Sequence, residues 1–207
     1  MDTTNTIFYI VILIISVAIH EIAHGYIAYK WGDMTAHNAG RLTLNPLVHL
    51  DTFGSVILPA LLVLTKAGFV FGWAKPVPVN PANFSNRKKG MISVAIAGIC
   101  MNFLIAIIFG IFIRTLMHFG VGNSNLLSIM GIVVYVNLFL GVFNLMPVPP
   151  LDGSRILFAL LGERFRSVEY KVEQYSIFFF LIFIFFVWGY IAPFMLSLFQ
   201  LLTGLAG

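Results

Sequence analysis

Charge is scarce in this chain. Only 10% of its 207 residues are Asp, Glu, Lys or Arg, while 59% are hydrophobic. A soluble domain of this length carries far more charge on its surface, so that class is excluded. Cysteine is scarcer still. The single thiol, Cys100, rules out an internal disulfide and any cysteine-based zinc site. Beside Gly98 and Met101 it reads as a small packing residue. The net charge of +4 comes from twelve Lys and Arg that are thinly spread outside Arg87-Lys88-Lys89. That pattern speaks for orientation in a membrane and against nucleic acid. Residues 1–6 hold no Lys or Arg and no small-residue cleavage site follows, so the first apolar run is expected to be a retained helix and not a cleaved signal.

What is abundant is apolar sequence in runs of about 20 residues, the length needed to cross a bilayer. The chain therefore reads as an all-α polytopic membrane protein, a single domain over 1–207 with about four to six membrane segments. Clear spans are expected at 7–28, 91–113, 128–146 and 176–203, the last bent at Gly189 or Pro193. A charged stretch, 162–174, reads as a solvated face. Ala39–Asn45 alternates weakly, and Gly72–Pro81 is proline-rich and extended. Residues 39–45 and 71–80 predict a small membrane-associated β element between the first and the middle helices. The run 53–73 is apolar but broken by Pro59, Lys66 and Gly68. Its flanks are both basic, with Lys30 and Arg41 before it and Lys75 and Arg87 to Lys89 after it. Basic flanks belong on the cytoplasmic side, which predicts a re-entrant segment lining a polar cavity and not a single crossing.

Inside the first span lies His20-Glu21-Ile22-Ala23-His24. On a helix the two histidines sit one turn apart on one face, so both imidazoles reach one metal ion. Glu21 is turned by about 100° from His20, near enough to meet a water on that metal without ligating it. This is the H-E-x-x-H arrangement of zinc proteases. Unpaired, two histidines and a glutamate in a membrane helix cost several kcal/mol. A catalytic zinc takes three protein ligands and leaves one position open. Asp2 and Asp33 lie in polar segments and the three later glutamates in a charged loop, so Asp51 and Asp152 remain, with His37 and His49. Asp152 is the best of them, since it follows three prolines in four residues beside two apolar helices. Its other reading is the N-cap of a helix over 153–161. The free ring nitrogens of both histidines need outer acceptors, and His49 and Asp51 are candidates for that shell.

With these residues in view, the chain resembles the site-2 proteases, the intramembrane zinc metalloproteases of peptidase family M50. The elements that match are His20–His24, Ala97-Gly98-Ile99-Cys100-Met101-Asn102, and Asn144–Gly153 with its Pro149-Pro150-Leu151-Asp152-Gly153 end. Gly40–Asp51 and Gly72–Asn80 resemble the small bacterial and archaeal branch that lacks PDZ and CBS modules. The resemblance implies one Zn2+ per chain held by His20, His24 and Asp152, with Glu21 as the catalytic base that activates the zinc-bound water. It implies that Asn102 and Asn144 hold substrate backbone or the developing oxyanion. It implies transmembrane-helix protein substrates and an integral, multi-pass place in a prokaryotic cell membrane. Ile99 stands where the family usually has proline, and Ser154 where many members have a second glycine; neither change removes a ligand or the base. The competing reading is a membrane metal transporter or a non-catalytic zinc-binding scaffold, for which Glu21 has no evident use.

Overall fold

A computed structural model describes residues 3–58, 61, 64, 65 and 73–205. Helix α1 spans Thr3–Lys30 and is followed by the short α2, Thr35–Asn38. Then come α3 (Arg87–His118), α4 (Ser124–Leu145), α5 (Asp152–Leu161) and α6 (Arg166–Gln174). The chain ends in α7 (Ser176–Ile182) and α8 (Trp188–Thr203), joined through π-helical residues Phe183–Val187. Four stretches among the described residues are long and apolar enough to cross a membrane: Thr6–Lys30, Arg87–His118, Ser124–Leu145 and Ser176–Thr203. A helix suits that setting because it satisfies its own backbone polar groups. The departure from regular helix geometry in the last span falls at 183–187, just ahead of the expected Gly189 and Pro193.

Asparagines start the two central helices. Asn86 accepts from the Lys89 N–H at 3.0 Å and Asn123 from the Leu126 N–H at 2.7 Å. Helix α3 packs against α1, α4, α5 and α8. At one end its Ala106 and Ile113 meet Met130, Val134 and Leu138 of α4 and Met195 and Phe199 of α8 in a closed apolar cluster. At the other end Ala28, Phe84 and Val94 form a second cluster. Of the phenylalanines in the last span, Phe178, Phe185, Phe186 and Phe194 face outward, while Phe183 and Phe199 are buried. Cys100 also faces outward and is not a packing residue.

The expected β element does not form among the described residues. Its only trace is one antiparallel bridge between Leu50 and Ala74. The first proposed strand fails because Gly40, at φ +65°, turns the chain and Asn45 starts a 3-10 turn over Pro46–His49. The second stays extended, but Pro76 and Pro78 carry no N–H for a ladder; residues 71 and 72 lie outside the described ones. The predicted re-entrant segment also lies largely outside them. Its two ends are described, and they meet. The Trp73 N–H donates to Gly54 O at 3.2 Å, and the Ser55 hydroxyl donates to Trp73 O at 2.7 Å.

Candidate metal centre

Helix α1 carries His20 and His24 on one face, with their rings edge to face at 4.4 Å between centroids. Both are buried against α3. The approach depends on Gly98. A Cβ there would lie 2.6 Å from His20 Cε1 and 2.6 Å from His24 Nε2. Neither ring can yield without leaving its partners. Gly98→Ala is therefore expected to lower metal affinity by roughly tenfold or more while the protein stays folded, a loss of the size seen when a ligand's orientation is disturbed. Metal content of the purified variant checks this, and full occupancy would refute it.

Asp152 arrives from the first turn of α5. Leu151, not Asp152, is the residue at the helix cap, and the carboxylate makes no capping bond. Gly153 lets this turn lie against the carbonyls of Leu145 and Met146, where no side chain fits. The turn so placed aims Asp152 Oδ2 at His20 Nε2 (3.1 Å) and His24 Nε2 (3.0 Å). The two Nε2 atoms are 2.8 Å apart. Ligand atoms of these three buried residues all lie within 4.8 Å of one another.

The outer nitrogens explain what the inner ones need. His24 Nδ1 is 2.7 Å from the Val94 carbonyl, which can only accept. His20 Nδ1 is 3.0 Å from Asn102 Oδ1. Each neutral imidazole has one proton, and these bonds hold it on Nδ1. In the neutral tautomer with the proton on Nδ1, both Nε2 lone pairs point at the Asp152 carboxylate. A cation at that point turns mutual repulsion into coordination, so the residues present fit zinc.

Glu21 lies beside this cluster without joining it. Its Oε2 accepts from the Val77 N–H at 2.7 Å, and its other oxygen has no hydrogen bond among the described residues. A cavity of about 120 Å³ opens here, lined by His20, Glu21, His24, Val77, Asn144 and Asp152.

The remaining expected residues divide. Asn144 lines the cavity and donates from Nδ2 to Leu140 O at 3.0 Å. Asn102 is fully buried behind His20, so contact with a substrate gives way to orientation of a histidine. His49 and Asp51 do not supply the outer shell; Asn102 and Val94 take that place. His49 Nε2 bonds Thr43 O at 3.0 Å, and Asp51 accepts from the Gly54 N–H at 2.7 Å. His37 stacks on Tyr29, away from the cluster. One residue escaped sequence reasoning. Asp33 is fully buried and accepts from the Asn80 N–H at 2.6 Å and Asn83 Nδ2 at 2.8 Å. Burial pushes its carboxyl up, but these bonds and those from Thr35 outweigh it and hold the group below the usual carboxylate range.

The chain is similar to known proteins. Residues 120–187 match the family described as Peptidase family M50. The chain is 40% identical over 184 residues to "Putative zinc metalloprotease YwhC" of Bacillus subtilis, covering 84% of this chain and 78% of the relative. It is 28% identical over 168 residues to "Zinc metalloprotease MJ0392" of Methanocaldococcus jannaschii, covering 80% of this chain and 38% of that longer protein. No solved structure matches. An identity of 40% sustained over most of both chains is more than a shared motif, and the chain belongs to peptidase family M50, a family of metalloproteases.

Proposed function

We propose that this protein is an intramembrane zinc endopeptidase that cleaves transmembrane segments of other proteins. The observation that carries the reading is the convergence of two imidazole Nε2 atoms from a membrane-length helix and the Asp152 carboxylate from the short α5, with Glu21 beside them on a cavity. His20, His24 and Asp152 hold the metal. Zinc, when bound, supplies a Lewis acid that acidifies water and polarises a carbonyl. Glu21 takes a proton from water in the cavity and returns it to the leaving amine. The Val77 N–H keeps the Glu21 carboxylate turned toward that water. Asn102 and the Val94 carbonyl keep both histidines in the tautomer that presents Nε2. Asn144 is the amide on the cavity wall that meets substrate backbone.

A helical substrate hides its carbonyls in its own hydrogen bonds, so a locally unwound stretch is what enters. Purified protein in detergent, given a model membrane protein with one transmembrane helix, is expected to cut it within or beside that helix. Mass spectrometry of the products locates the bond. Cuts confined to soluble tails would refute the membrane specificity and leave a zinc protease of another kind.

A further inference from the structure

A strap of extended chain crosses the candidate centre. It runs from Lys75 to Asn80 and turns through the 3-10 residues Pro81–Asn83. Pro76 and Pro78 make it stiff and leave it few N–H groups. Three of those that remain have definite partners. Lys75 donates to His49 O at 2.8 Å, Val77 to Glu21 Oε2 at 2.7 Å and Asn80 to Asp33 Oδ2 at 2.6 Å. The Val77 side chain lies close over α1, since a Cβ on Gly25 would sit 2.9 Å from Val77 Cγ1.

Asp33 holds the far end of this strap. Its Oδ1 accepts from Asn83 Nδ2 at 2.8 Å and from the Thr35 N–H at 3.1 Å. Its own N–H donates to Ala28 O at 3.0 Å, on the last turns of α1. Asp33 thus ties the strap, through its carboxylate, to the end of the helix that carries Glu21, through its backbone N–H. Buried charge persists when hydrogen bonds satisfy it, and these run to the strap and to Thr35.

We infer that Asp33 is a positioning residue for the general base, acting through the strap. Asp33 fixes Asn80, the run back to Val77 transmits that position, and the Val77 N–H fixes the Glu21 carboxylate. The inference rests on the proposed role of Glu21.

The test is a double-mutant cycle on the full chain in detergent. Wild type, Asp33→Ala, Val77→Pro and the double variant are read for kcat and KM on one transmembrane substrate, with metal content and thermal midpoint measured on the same samples. Each single change is expected to lower kcat by roughly tenfold to a hundredfold, as small misplacements of a reacting group do, with metal content unchanged. The double variant falls no further than the lower single, because no aligned base remains to be displaced. Factors that multiply in the double variant would overturn the inference. So would an Asp33→Ala protein that loses metal and thermal midpoint but keeps the kcat of its metal-loaded fraction. Glu21→Gln is run alongside. If it stays active, the reading of the base fails, and the clasp with it; if it is inactive while the factors multiply, the clasp alone fails.

Discussion

Asp152→Ala is expected to empty the metal centre. The carboxylate is the only charged donor among the three groups whose ligand atoms converge. Its removal leaves two neutral imidazoles, which are too few for a catalytic zinc. Losing an outer-shell partner alone costs 10- to 100-fold in metal affinity, so losing this ligand is expected to cost more than about a hundredfold. Peptide hydrolysis should fall at least in proportion. The capping alternative predicts something else: about 1 kcal/mol of stability lost and the metal kept. Metal content and thermal unfolding of the one variant separate the two. Leu151 at the cap position already argues against the second.

Glu21→Gln is expected to act on chemistry and not on metal. Glutamine keeps the shape of the side chain and a carbonyl that can still accept from the Val77 N–H. It cannot take a proton from water. A lost general base lowers kcat by roughly 10²- to 10⁴-fold, or about 3 to 5 kcal/mol of barrier. Zinc should stay, because Glu21 lies outside the cluster of ligand atoms. Metal lost from this variant would make Glu21 a ligand. Activity kept would mean that another group is the base, or that the centre serves metal transport.

Much of this architecture is legible in the sequence because it is local. Apolar runs of bilayer length become helices wherever their backbone must satisfy itself, and the four spans follow. One turn of helix puts His20 and His24 on one face whatever surrounds them. Asp152 is readable from its cost: a carboxylate beside apolar helices needs a partner. What is not legible depends on contacts distant in sequence. The acceptor for His20 lies 82 positions away on Asn102, and nothing in either helix registers one against the other. Gly98 reads as an ordinary small residue until the rings against it are known. Alternation at 39–45 predicts a β element, but alternation needs a partner strand, and a left-handed glycine and two prolines deny it one. Asp33 reads as one more polar loop residue because its partners, Asn80 and Asn83, are 47 and 50 positions on.

The central claim is that peptide hydrolysis by this chain runs through a zinc ion held by His20, His24 and Asp152. One sample tests it most directly. Purified wild type in detergent is assayed for cleavage of a transmembrane substrate and for bound zinc before chelation, after it, and after zinc is returned. The account predicts about one zinc per chain, cleavage that disappears with it, and recovery of both together. Cleavage that persists in zinc-free protein would contradict it.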